Sequence, residues 1–346
     1  MKEYFCSKIQ KQWDSKLPFV VFSLPHQSHT TAFLQNDDRL IQDALLQKKG
    51  FVIGRFDSKA TYTIESDHVL TIDELNCSEA LMEFSIFDQG DRQKHIQSVQ
   101  KAVDYIKKSS LEKVVLAREI KAHIKANPLD IYCKLNKTYP KAFTYCFYHP
   151  QIGLWIGASP ELLVSVADQE FKTVSLAGTR WADLSAQWGS KELEEQQLVT
   201  QYIERQLRGL NLTFDCSDVE TVQAGNLLHL KQEFCGQLKA SQLIDLIKAL
   251  HPTPAVCGLP ANLAHQYLKE NEDLNRIFYA GFMGPVQQID SRGEVYSYLG
   301  VNIRSMKIDH QIASLYVGGG ITADSNPELE WEETVKKSMT LSSIFE

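Results

Sequence analysis

Residues 143–180 read FTYCFYHPQIGLWIGASPELLVSVADQEFKTVSLAGTR. β-branched and aromatic residues dominate, and turn-forming clusters interrupt them at 149–153 and 168–170. The stretch therefore predicts successive strands joined by tight turns. Upstream, PFVVFSL (18–24), GFVIGRF (50–56) and HVLTI (68–72) are short strand-like runs, and LEKVVLAREIKAHI (111–124) reads as a strand through its β-branched content. Downstream, YSYLGVNIRSM (296–306) and IASLYVGGGI (312–321) alternate like adjacent strands.

Helices separate these strands. Ile96, Val99, Ala102, Val103 and Ile106 recur at helical spacing in 91–109. SKELEEQQLVTQYIERQLRGL (190–210) carries an apolar side from Leu193 through Ile203, with Ser190 as candidate cap. A helix over 240–258 is stopped by two prolines, and WEETVKKSMTLSSIF closes the chain as a helix. No linker is rich in Pro, Gly or Ser and no repeat stands out, so the pattern predicts one α+β domain over 1–346.

Composition excludes several function classes. The 346 residues are 43% hydrophobic and 23% charged, with 36 basic and 43 acidic residues for a net charge of −7. Without a basic block, this predicts a small-molecule ligand and no nucleic-acid partner. Cysteines at 6, 77, 133, 146, 216, 235 and 257 are odd in number, widely spaced and free of any CxxC pair, which suits free thiols in a reducing compartment. No signal-like apolar core opens the sequence, and no run approaches about eighteen apolar residues. The expectation is a cytoplasmic protein with no membrane span.

The charged candidates lie near turns. In YVGGGITADSNPELEWEETVKKS (316–338), Glu330 and Glu333 share a helical face with Lys337 a turn further on, and Glu192 and Glu195 repeat the i,i+3 acidic pair. Carboxylates from two helices could hold Mg²⁺, a hard cation that takes oxygen ligands; acidic pairs are more often solvated helix faces. Gly318, Gly319 and Gly320 fit neither a P-loop nor a dinucleotide fingerprint, and read as a turn whose exposed N–H groups could bind an anion. Lys113 is either an exposed strand-edge residue or, inside a pocket, a base. Glu161 in GASPELL is a turn acid or a helix cap, while His251 and Thr253 lie beside turns. Arg304, within an apolar strand, requires an anionic partner if buried.

In order, KVVLAR (113–118), GASPELL (157–163), LAGTR (176–180), KELEEQQLV (191–199), HPTPAVCG (251–258), NIR (302–304) and GGGITADSNPELEWEETVKK (318–337) resemble the chorismate-utilising enzyme family, and within it the isochorismate synthases. The resemblance covers about residues 95–346; it marks 1–94 as a variable N-terminal part of the same fold. It implies the chorismate-utilising (ADC synthase-like) fold, with two stacked antiparallel sheets and helices outside.

The resemblance also implies a site. Glu195 and Glu333 match direct Mg²⁺ ligands, and Glu192 and Glu330 match acids that hold the metal's water shell. Gly178 and Thr179 of LAGTR, His251, Thr253, Tyr279, Arg304, Gly318, Gly319, Gly320 and Lys337 match positions around the substrate, chorismate. Lys113 matches the base that activates water, where ammonia-using relatives carry glutamine, and Glu161 matches the acid that protonates the departing C4 hydroxyl. Ala177 stands where aminodeoxychorismate synthase carries a nucleophilic lysine. The implied protein is a monomeric isochorismate synthase with no glutamine amidotransferase subunit, serving menaquinone or siderophore synthesis. Salicylate synthase, which goes on to eliminate pyruvate, and a non-catalytic metal- or carboxylate-binding relative are the alternatives. One departure stands out: relatives have histidine where this chain has Gln196, which hydrogen-bonds but does not titrate.

Overall fold

The strand Phe19–Ser23 is buried on both faces. Val20 and Phe22 point into one apolar cluster and Phe19 and Val21 into another, as the two-residue period of a strand dictates. That division organises the molecule, whose computed structural model describes residues 2–75, 82–181, 187–224, 227–290 and 292–345. Every strand pairing in it is antiparallel among the described residues.

Among the described residues the strands form two sheets of ten and eleven strands. Through the first sheet run, side by side, Lys113–Lys125, Ile312–Ile321, Ser305–Asp309, Gly153–Ser159, Phe143–His149, Phe19–Ser23 and Thr30–Leu34. Through the second run Leu227–Gln237, Glu170–Trp181, Leu162–Ala167, Val295–Val301, Phe282–Val286 and Gly50–Gly54. The sheets stack through aromatic side chains: Phe51 of the second sheet meets Phe22, Phe143 and Phe147 of the first at 5.8, 6.3 and 6.1 Å between ring centroids. The first sheet's other face is covered by the helices Lys2–Asp14 and Pro128–Thr138 through Phe5, Ile9, Ile131, Tyr132 and Leu135. This is the α+β fold with two antiparallel sheets and outer helices that the sequence led us to expect. The first 94 residues contribute strands to both sheets.

Three local expectations are corrected. Gly189, not Ser190, is the N-cap of the helix Ser190–Gly209, and no side chain caps it. Gly318–Gly320 are not a turn; they lie inside the strand Ile312–Ile321, opposite Ala117, Leu116 and Val115. The run 296–306 is not one strand. It leaves the second sheet at Val301 and enters the first at Ser305, and Arg304 turns the corner with φ +52°, in the left-handed region.

A second corner lies at Pro160–Glu161, between Gly153–Ser159 of the first sheet and Leu162–Ala167 of the second. The two corners are bonded together. Ser159 Oγ donates to Val301 O at 2.6 Å, Val301 N to Glu161 O at 2.9 Å, and Ala158 N to Arg304 O at 3.1 Å. Asn302 anchors the joint, donating to Phe278 O at 2.9 Å and accepting from Tyr145 Oη at 2.7 Å.

Candidate active site

Each corner delivers one charged residue, Glu161 and Arg304, to the same place. A cleft of about 600 Å³ opens there, walled by Arg304, Ala158, Pro160, Leu176, His229 and Tyr139. Glu161 is buried and accepts a hydrogen bond from Thr253 Oγ1 at 3.1 Å. Burial pushes its carboxyl up to about 7, although the Thr253 bond and the charges of Lys113, Arg304 and Lys337 all favour ionisation. It is therefore a proton donor near neutral pH.

Lys113, the first residue of the long strand Lys113–Lys125, is 0% exposed rather than at an open strand edge. Its Nζ lies 2.7 Å from Glu195 Oε1 of the helix Ser190–Gly209. Glycine makes this approach possible: a Cβ at Gly320 would lie 2.6 Å from Glu195 Oε1 and 3.0 Å from Lys113 Cε. The three glycines thus allow close packing within a ladder.

The C-terminal helix Pro327–Ser342 brings the other acids. Asn326 caps it, accepting from the N–H groups of Glu328 and Leu329, and Pro327 occupies the first helical turn, where its missing N–H costs nothing. Arg118 fixes the helix to the long strand: Nε donates to Thr334 Oγ1 at 2.7 Å and the guanidinium lies 4.0 Å over Trp331. Glu330 is buried, and a Cβ at Gly319 would lie 3.5 Å from its Oε2 and 3.9 Å from Glu333 Oε1. Glu333 is held by Lys337 at 2.6 Å, and Lys337 Nζ also donates to Gly318 O at 3.1 Å. Arg304 Nη1 donates to Lys337 O at 3.2 Å.

Glu195, Glu330 and Glu333 thus reach Gly319 and Gly320 from two helices. Their hard oxygens suit Mg²⁺, and they converge on backbone that carries no Cβ, so the donor chemistry fits such an ion. As they stand, no three acids among the described residues are close enough to hold one, and Glu195 and Glu333 are each engaged by a lysine. Glu192 turns the other way: its Oε2 would lie 2.6 Å from a Cβ at Gly189, at the start of its own helix.

The remaining expected residues divide. Tyr279 stacks on Tyr316 at 5.4 Å with its hydroxyl 3.1 Å from where a Cβ of Gly318 would lie, and burial pushes it up to about 12. Gly178 turns the strand Glu170–Trp181 with φ +64°; the side chain of Thr179 lies outside the described residues. His251 does not join the group. Its Nε2 meets Arg55 O at 3.0 Å and its ring packs edge-on to Phe282 at 5.0 Å, and it borders a different cavity. Burial holds it neutral, lowered to about 4.

Gln196 fills its buried position with hydrogen bonds alone. It accepts from Ala177 N at 3.0 Å and donates to Ser175 Oγ at 2.8 Å. His229 escaped the sequence reading altogether. Its Nδ1 meets Gly178 O at 3.1 Å, and burial with the nearby charges of Arg304 and Lys337 lowers it to about 3, so a neutral imidazole forms part of the cleft wall. The usable signal was a lone histidine in the apolar run LLHL, which pairs with the LAGTR strand at Thr179.

Comparison with known proteins supplies a context. The family model described as chorismate binding enzyme matches residues 56–346, starting ahead of the first quoted motif. Isochorismate synthase MenF of Haemophilus influenzae is 32% identical over 260 residues, 71% of this chain and 59% of that protein. Anthranilate synthase component 1 of Aquifex aeolicus is 30% identical over 264 residues, 72% of this chain and 52% of that one. The chain thus spans between half and two thirds of these relatives. A solved structure described as a 2,3-dihydroxybenzoate-specific isochorismate synthase, DhbC, of Bacillus anthracis superposes with a TM-score of 0.81 at 24% identity, over 95% of this chain and 96% of that one. At that identity the likeness establishes the fold. No helix among the described residues is long and apolar enough to cross a membrane.

Proposed function

This chain belongs to the chorismate binding enzyme family, and we propose from that premise that it interconverts chorismate and isochorismate in the cytoplasm. The observation that carries the reading is a buried carboxyl raised to about 7, Glu161, in one site with a wholly buried lysine, Lys113. General acid–base chemistry needs a proton donor and a proton acceptor held in one site. A lysine rather than glutamine at 113 favours water over ammonia as nucleophile, and so a protein working without an amidotransferase subunit.

In the proposed step, Lys113 Nζ, parted from Glu195 and in its amine form, takes a proton from water as the water oxygen bonds to C2 of chorismate. The ring double bonds shift, and the C4–O bond breaks. Glu161 gives its proton to that oxygen, which leaves as water. The return reaction uses the same two groups with exchanged roles. Arg304, with Lys337 and Tyr279, offers cationic and hydroxyl donors to the substrate's carboxylates. Glu195 and Glu333 would hold Mg²⁺, with Glu192 and Glu330 on its waters; Glu192 must first leave Gly189. When bound, the ion would neutralise the ring carboxylate.

The test incubates purified protein with chorismate and Mg²⁺, without ammonia, and follows products by HPLC from early times. Isochorismate approaching a mixture with chorismate, and formed at least about a hundredfold more slowly by Lys113→Ala, is the expected result. Prompt salicylate with equimolar pyruvate would move the assignment to the lyase, and no turnover would leave a binding protein.

A further inference from the structure

Beside the strand that carries Lys113 lies a buried ion pair to which the proposed reaction gives no part. The side chains of Arg276 and Glu272 are 2% and 7% exposed. Arg276 grips the carboxylate with both arms, Nε to Oε2 at 2.6 Å and Nη2 to Oε1 at 2.7 Å. Its guanidinium lies 4.5 Å over the Phe56 ring and 5.9 Å from the Tyr279 ring.

The pair also bonds to the backbone of two other segments. Arg276 Nη2 donates to Val115 O at 2.5 Å, and Glu272 Oε1 accepts from Ala117 N at 2.8 Å; both are in the Lys113 strand. Arg276 Nη1 donates to Val256 O at 2.7 Å, in the turn that begins at Thr253, the partner of Glu161. Those two segments already meet through a short ladder, in which Gly258 and Leu259 pair with Val114 and Lys113 and Val115 N donates to Cys257 O at 2.8 Å. The ion pair is thus not needed to bring them together. It ties them a second time, at Val115 and Ala117 along the strand from Lys113 and at Val256 along the turn from Thr253. Burying two charges rarely improves on a well-packed apolar pair for stability alone, whereas a planar fork bonded on several sides leaves little freedom to slide.

We propose that Glu272 and Arg276 are positioning residues that set the separation of Lys113 from Glu161. The inference rests on the acid–base roles proposed above. A shift of about 1 Å between catalytic groups costs about a hundredfold in rate, so the effect belongs in kcat.

The test uses two variants of the full chain. Glu272→Met/Arg276→Met removes both charges and leaves neither uncompensated; Arg276→Lys keeps the charge but loses the fork. For each, a crystal structure gives the Lys113–Glu161 separation and the Thr253–Glu161 distance, and kcat and KM for chorismate are measured at matched folded protein. We expect the contacts to move and kcat to fall about a hundredfold, with KM changed by no more than about threefold. Contacts unchanged from wild type, or kcat within about twofold, in either folded variant would overturn the proposal. If the double variant does not fold, Arg276→Lys decides by the same readouts. If the wild type itself does not convert chorismate, the functional reading fails separately, and the two distances still decide the positioning role.

Discussion

Lys113 Nζ lies 2.7 Å from Glu195 Oε1, so one carboxylate both holds the proposed base and belongs to the proposed metal site. We expect Lys113→Ala to lower turnover by about 10²–10⁴-fold. The same variant should bind Mg²⁺ at least as tightly as wild type by calorimetry, since a competing cation has gone. Weaker binding would mean that the lysine supports the acid.

Glu161 is raised to about 7 from an ordinary 4.5. Between these values the folded protein binds more protons than the unfolded chain, so this group's contribution is complete below about 4.5 and is lost as pH rises through about 7. Glu161→Gln should abolish the loss, gaining on the order of 3 kcal/mol relative to wild type at pH 8 compared with pH 4. Urea unfolding across that range tests it, and a pH-independent difference would sink it. Wild-type forward turnover should likewise decline above about pH 7 as the acid ionises.

Two glycines should separate folding from function. A Cβ at Gly284 would lie 1.9 Å from Tyr298 O, a backbone atom, and its φ is +153°. A Cβ at Gly320 meets the ends of Glu195 and Lys113, which can swing away. We expect Gly284→Ala to fail to fold, and Gly320→Ala to keep a near-native melting temperature while losing turnover by at least about tenfold. Equal damage to melting temperature in both would refute the distinction.

Gln196 works through its amide, and nothing in its contacts calls for a titrating group. Gln196→Ala strands the Ala177 N–H and should cost about 1–3 kcal/mol. Gln196→His can accept from Ala177 and donate to Ser175, so turnover within about threefold of wild type is expected, and the pH profile should not gain a limb near 6.5. A new limb there would show that the position carries protons.

Chelation provides a further check. EDTA should abolish turnover and Mg²⁺ restore it, and Glu195→Gln and Glu333→Gln should each weaken Mg²⁺ binding by about 10-fold or more. Full turnover after exhaustive chelation would rule the metal out.

The strands legible in the sequence are those whose own residues decide the matter, such as FVVFS, four apolar residues and a serine, all buried. LLHLKQEFCGQ was missed because its Leu, Lys and Gln suit a helix; its state comes from pairing with Glu170–Trp181 across the sheet. Periodicity does not register a change of sheet, so 296–306 reads as one strand. Spacing made the two acidic pairs visible, and ordered motifs linked them to Lys113 and Glu161. His229 and the Glu272–Arg276 pair stayed hidden, since their partners lie 51 and 155 residues away in sequence.

The two corners have a kinetic consequence. Glu161 and Arg304 come within electrostatic reach only after segments 142 residues apart have joined, at Ser159 and Val301. Loop closure on that scale is slow, and neither sheet alone assembles the site. On dilution from denaturant, β-structure can therefore recover before the sheets dock, while turnover waits for docking. Recovery of activity is expected to trail the far-ultraviolet signal, making catalysis the clock for the last step of folding.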